Sequence, residues 1–296
     1  MRFDELLQAS GPIVADGGMG TMLFALGLAQ GAAPERWNLD QPEHIRSVHR
    51  GYIEAGAQII LTNTFGGSRP RLARHGLDAR CAEINAAAAR LARAEADAAA
   101  HPVVVAGSIG PTGEFFAPMG ALTAESAQAA FAEQAAALAE GGVDVFWIET
   151  MSDLQEVEAA AAACRQAAPA VPVVTTMTFD TKGRTMMGVR PEQAAAAMVE
   201  LGVAAGGANC GNGPQEIEEV IAKMHAVQPG LVLVAKSNAG RPRLEGGRAV
   251  YDATPADMAA YAQRVRAAGA RIVGACCGST PAHIAAIAGA LQTEGA

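Results

Sequence analysis

The sequence predicts an α/β fold of eight strand–helix units, and three features carry the prediction. Short apolar, β-branched runs recur along the chain. Each is followed by a polar or glycine-rich turn and then by an alanine-rich helical stretch. No linker divides the 296 residues into two parts. Strands that alternate with helices and read as continuous apolar runs belong to a parallel sheet covered on both faces. Eight such units in a chain of this length match a (β/α)8 TIM barrel, here a single domain over 1–296. The rival is an open doubly wound sheet. It is disfavoured because no GxGxxG fingerprint follows the first strand.

The strand candidates, in chain order, are PIVAD (12–16), AQIILT (57–62), PVVVAG (102–107), DVFWIE (144–149), PVVTTMTF (172–179), VAAGGANC (203–210), LVLVAKS (231–237) and ARIVGACC (270–277). Helix candidates lie at 42–56, 79–99, 123–141, 153–167, 191–201, 214–227, 254–268 and 280–292. The segments DQPEH, LTAES, DATPAD and GSTPAH supply start signals. Gly56, Gly141, Gly142, Gly202 and Gly269 supply stops. The longest irregular pieces, 17–41, 63–78, 108–122 and 238–253, each follow a strand. In a barrel such loops gather on the C-terminal face, where active sites form.

Composition narrows the function. Net charge is −8 and aromatics make up 4% of residues, which argues against nucleic-acid binding. The N-terminal segment MRFDELLQASGPIVADGG lacks the apolar stretch of a signal peptide. No run approaches the roughly 18 apolar residues of a membrane span. The expectation is a soluble cytoplasmic protein with reduced thiols and no membrane partner. There, clustered cysteines read as metal-binding or catalytic more often than as disulfides.

Of five cysteines, Cys81 and Cys164 fall inside helix candidates and read as core residues. Cys210 ends the sixth strand, and Cys276 and Cys277 end the eighth, so a barrel brings all three to one mouth. Three thiolates with open access suit a catalytic zinc, which leaves one position for substrate. Three buried structural cysteines are the competing reading; clustering at strand ends favours metal. Such a shell activates water poorly, but it holds a second thiol as thiolate, the nucleophilic form. Asp16 and Glu149 end the first and fourth strands and are placed to receive an ammonium group. Taken alone, Asp16 reads equally as a turn residue and Glu149 as a helix cap. The segment DGGMG presents backbone N–H groups of Gly17 and Gly18 to a carboxylate. Together these describe a site for an amino-acid thiol.

The chain resembles the homocysteine S-methyltransferase family, which includes betaine–homocysteine methyltransferase and the homocysteine module of cobalamin-dependent methionine synthase. The matching segments are DGGMGT (16–21), TNTF (62–65), SIGPTGE (108–114), WIET (147–150), GANCGNGP (207–214), KSNAG (236–240) and GACCGSTPAHI (274–284). They span nearly the whole chain in order. The resemblance implies a barrel with zinc on Cys210, Cys276 and Cys277. It implies homocysteine held by Asp16, Glu149, Gly17 and Gly18, with Asn63 and Ser108 among the substrate-binding residues, and methionine as product. It also makes Asn238 a candidate fourth zinc ligand before substrate arrives.

Two departures bear on the methyl donor. Thr150 and Gly66 stand where betaine-type enzymes of animals have tyrosines, and a quaternary ammonium is best held by aromatic rings. Phe65, Phe115, Phe116 and Trp37 are the loop aromatics available instead. Ala275 replaces a glycine of the family's GGCCG, a small change. The donors considered are betaine, S-methylmethionine, and a methylated corrinoid delivered by a separate corrinoid-binding protein. Two other classes of function compete: a homocysteine-binding subunit of a split methionine synthase without independent turnover, and a thiol-based redox or metal sensor.

Overall fold

The computed structural model describes residues 3–245 and 248–292. Its strands are β1 (Ile13–Val14), β2 (Ile59–Leu61), β3 (Val104–Ile109), β4 (Val145–Met151), β5 (Val173–Met177), β6 (Ala205–Cys210), β7 (Leu233–Ser237), β8 (Arg243–Glu245), β9 (Arg248–Val250) and β10 (Ala270–Ala275). Strands β8 and β9 form a separate antiparallel hairpin. The other eight make one parallel sheet in the order β1-β10-β7-β6-β5-β4-β3-β2. The ends of that row meet through a parallel bridge between Ala15 and Ile59. There the Asp16 N–H donates to the Ile59 carbonyl at 2.9 Å, and the Gln58 N–H to the Val14 carbonyl at 2.7 Å. The fold is the (β/α)8 barrel that the alternation predicts.

The eight long helices follow the expected segments, from Pro42–Glu54 to Pro281–Gln292. Thr123, Asp153 and Thr254 cap three of them by accepting backbone N–H groups. Four short helices escape the sequence: Phe3–Gln8, Met19–Ala25, Trp37–Asp40 and Arg69–Ala73. Each is too short to show a helical period, and Met19–Ala25 begins among glycines that read as a turn. The strand limits also differ from the expected runs, and two of these differences bear on the site. β1 is shorter than 12–16, and β10 stops at Ala275. Cys276 and Cys277 lie beyond it in a turn that ends at Gly278, whose φ of 81° is left-handed.

Side-chain alternation along the strands builds the site. One face of each strand packs outward on the helices in the larger core. The other fills the barrel with Ile13, Ile59, Val104, Val145, Trp147, Val174, Val234 and Ile272, and Phe3 and Leu6 of the first helix close this floor. Trp147 is fully buried there, and its truncation to alanine would cost about 3–5 kcal/mol. One step further along the same faces, two residues on from Ala106, Trp147 and Val234, stand Ser108, Glu149 and Lys236. The apolar plug thus gives way to a polar layer at the C-terminal mouth. Among the described residues, no helix is long and apolar enough to cross a membrane.

Candidate active site

The closed sheet brings the three cysteines at strand ends together. Their Sγ atoms all lie within 4.8 Å of one another. Cys210 Sγ and Cys276 Sγ are 3.0 Å apart. Cys210 adopts a left-handed φ of 62°, an uncommon conformation for a side chain with a Cβ and one that gathers at functional sites. Asn238 brackets the cluster: its Nδ2 donates to the Gly211 carbonyl at 2.8 Å, and its Oδ1 accepts the Cys277 N–H at 3.1 Å. Asn209 braces it from below. Its Oδ1 accepts the Thr150 N–H at 2.9 Å and the Thr176 hydroxyl at 2.7 Å, and its Nδ2 lies 4.0 Å from Cys276 Sγ.

Protons are shared unevenly in this cluster. Hydrogen bonding with Cys276 and Cys277 pushes the Cys210 thiol well up. Hydrogen bonds from Cys210 and Cys276 hold the Cys277 thiol well below the ordinary thiol value, and Tyr251 adds a further one. Three clustered sulfur donors, one already favouring thiolate, fit a soft tetrahedral cation such as zinc.

Asp16 and Glu149 stand beside the sulfurs. Asp16 Oδ1 accepts from Lys236 Nζ at 2.7 Å, and its Oδ2 accepts the Leu61 N–H at 2.7 Å. Burial raises the Asp16 carboxyl, while Lys236 and the Leu61 amide pull it back. Burial works to lower Lys236, but Asp16 and Glu149 outweigh it and the ammonium is held above its ordinary value. Glu149 Oε1 accepts the Ser108 hydroxyl at 2.5 Å. Burial pushes the Glu149 carboxyl up to about 7, against the pull of Lys236.

The loop after β1 is stapled to the cysteine turn. The Gly18 N–H donates to Ser279 Oγ at 3.0 Å, and Ser279 Oγ donates to the Cys276 carbonyl at 2.7 Å. A Cβ at Gly17 would come within 2.4 Å of Ser279 Oγ, and one at Gly18 within 2.6 Å of the Cys276 carbonyl, so both positions require glycine.

A cavity of about 510 Å3 joins these groups. The expected residues Asp16, Gly17, Gly18, Asn63, Ser108, Glu149, Cys210, Cys276 and Cys277 all line it. Asn63 spends its Nδ2 on the Pro34 carbonyl and Asn38 Oδ1, so its amide acts as a wall tie. Of the four loop aromatics, only Phe65 is among the lining residues, joined by Phe24. Trp37 sits on a short helix stacked against His44 at 5.0 Å between centroids. Phe116 is buried in the larger core, and Phe115 borders a different hollow. Sequence reasoning missed Lys236, Asn209 and Tyr251. A lysine and an asparagine at the ends of apolar runs, two residues on from inward-facing positions, were the available signal for the first two.

Residues 13–291 match the model of the homocysteine S-methyltransferase family. The fold and site define a barrel with three clustered thiols at its mouth, and the chain belongs to that family. Methionine synthase of Mycobacterium tuberculosis is 33% identical over 94% of this chain, as is that of Mycobacterium leprae. This chain spans only 24% of the length of those two relatives. The homocysteine methyltransferase MmuM of Escherichia coli, solved in a metallated form, superimposes with a TM-score of 0.82 at 27% identity. That match covers 96% of this chain and 98% of the other.

Proposed function

We propose that this chain transfers a methyl group to the sulfur of homocysteine, giving methionine. The observation that carries the reading is one cavity lined by three clustered thiols and two buried carboxylates. Cys210, Cys276 and Cys277 would hold zinc, which when bound supplies a Lewis acid that keeps a substrate thiol as thiolate.

The remaining chemistry belongs to binding and orientation. Two carboxylates and one lysine ammonium leave a buried site short of one positive charge. The α-ammonium of an amino acid supplies it between Asp16 and Glu149. Ser108 steers Glu149 and Lys236 steers Asp16, so neither acid has to reorganise when substrate enters. Gly17 and the adjoining backbone receive the α-carboxylate, the Gly18 N–H being engaged by Ser279. The substrate's sulfur then faces the thiol cluster. In the transfer, a sulfur lone pair forms the new S–CH3 bond as the donor's bond to that methyl breaks. The electron pair of the broken bond stays on the donor, which loses one positive charge.

The test is a donor panel on zinc-loaded protein with homocysteine, using betaine, S-methylmethionine and methylcobalamin, with methionine as readout. Methionine from any donor, lost in Cys276→Ala, supports the reading. Full zinc content and full turnover in Cys276→Ala would overturn it. A second reading is a homocysteine-binding subunit that needs a partner, favoured by the short share of the methionine synthases that this chain spans. Turnover by the isolated chain excludes it.

A further inference from the structure

The segment GACCGSTPAHI carries a histidine that the chemistry above leaves unused. His283 is 9% exposed, in the first turn of the helix Pro281–Gln292. Its Nδ1 accepts the Thr280 N–H at 3.1 Å and lies 2.9 Å from Thr280 Oγ1. Its Nε2 lies 2.9 Å from the Ala253 carbonyl oxygen. These contacts fix the tautomer. A carbonyl can only accept, so Nε2 carries the proton. A backbone N–H can only donate, so Nδ1 is bare.

Half of this arrangement is a helix cap. In a capping box a Glu or Gln three residues after the N-cap accepts that residue's N–H, and His283 stands three residues after Thr280. A cap needs only the one acceptor. It gives no reason for a side chain that also donates, from its far end, to a residue 30 positions away.

That donation closes a ring of hydrogen bonds around a thiol. The Ala253 N–H donates to the Ala239 carbonyl at 3.0 Å, and the Ala239 N–H to the Cys277 carbonyl at 2.9 Å. The Cys277 N–H is held by Asn238 Oδ1 at 3.1 Å. From Cys277 the chain runs through Gly278 and Ser279 to Thr280, which returns to His283. The loop after β7 therefore fixes both main-chain groups of Cys277, the strap 251–253 fixes that loop, and His283 fixes the strap. The strap is also seated closely. A Cβ at Gly278 would collide with the Tyr251 ring, and one at Gly240 would come within 2.6 Å of Asp252 Oδ1.

We propose that His283, as its Nε2–H tautomer, is a positioning residue for the thiol cluster. By locking the strap it holds Cys277 at the spacing from Cys210 and Cys276 that a metal ion needs. The inference rests on the reading above, in which the three thiols hold zinc. Loss of the Nε2 donor frees the strap and leaves the helix start intact.

His283→Glu and His283→Gln separate the two halves of the arrangement. Both offer an acceptor to the Thr280 N–H and keep the cap. Only the glutamine amide can also donate from its far end. In His283→Glu, zinc affinity in competition with a chelator is expected to fall about 10-fold, the low end for groups that orient metal ligands. The added negative charge favours the cation, so a fall reports the lost donor and not the charge. His283→Gln should return most of that affinity. In metal-free protein, hydrogen exchange at the Ala239 and Ala253 N–H groups should quicken in His283→Glu and stay slow in His283→Gln. Ring-nitrogen NMR of the wild-type protein should place the His283 proton on Nε2. Wild-type zinc affinity in His283→Glu, an equal loss in both variants, unchanged exchange at Ala239 and Ala253, or a proton on Nδ1 would each overturn the proposal while leaving zinc binding intact. Absence of zinc uptake by the wild-type protein would overturn both the proposal and the reading beneath it.

Discussion

Lys236 Nζ lies 2.7 Å from Asp16 Oδ1, with the two side chains 3% and 2% exposed and 220 residues apart in sequence. Neither charge has water to fall back on. Removing one partner leaves the other uncompensated, which costs about 3–5 kcal/mol. Lys236→Met is therefore expected to lower unfolding stability by that amount in a urea titration, with homocysteine affinity falling as well. Adding Asp16→Asn should recover part of the stability and none of the affinity.

On the proposed reading, Glu149 sets the pH dependence of homocysteine binding. Its carboxyl is raised to about 7, so below that pH it is increasingly protonated and cannot receive an ammonium. Affinity measured by calorimetry should weaken as pH falls through about 7 and level off above it. Ser108 stabilises the ionised form. Ser108→Ala is expected to move the acid limb to higher pH, and Glu149→Gln to remove it. For stability the sign is opposite. A raised carboxyl costs nothing below its ordinary value and most above about 7, so Glu149→Gln should stabilise the substrate-free protein at pH 8.

Asn209 touches both Thr150, itself at a left-handed φ of 61°, and the neighbourhood of Cys276. Groups that orient metal ligands are worth about 10- to 100-fold in affinity. Asn209→Ala should weaken zinc by that factor in competition with a chelator, with circular dichroism unchanged.

Gly66→Ala probes the collision with Glu35. A Cβ 2.8 Å from Oε1 must displace the carboxylate or the loop. The expected cost is about 1–3 kcal/mol in thermal or urea unfolding. A tyrosine at this position, as in betaine-type enzymes, is expected to break the Glu35 contact rather than complete an aromatic cage.

Much of this was legible in the sequence, for reasons that differ between elements. Strands buried on both faces leave continuous apolar runs, so all eight barrel strands could be found and the strand-end rule placed Cys210, Cys276, Asp16 and Glu149 at one mouth. Lys236 was different. It lies near the end of the strand candidate LVLVAKS, and the run does not say which partner its ammonium meets. Only the strand order, which sets β7 one strand from β1 across β10, carries its ammonium to Asp16. The loops 17–41 and 63–78 hide Glu35, Phe65 and Arg71 more completely. They have no period, so nothing in the sequence says which side chains turn inward. Trp37 and Phe116 show the same limit, since both point into packing rather than the cavity.

The floor made by Phe3, Leu6 and Trp147 has a kinetic consequence. A barrel stoppered at one end has a single doorway, and both reactants must use it. On the proposed reading the amino-acid thiol lies against the polar layer, and the methyl donor reaches it from the door. Traffic is then expected to be sequential on that reading, the amino-acid thiol entering first and the spent donor leaving before the methylated product. Product inhibition should carry that signature, with methionine competing against homocysteine.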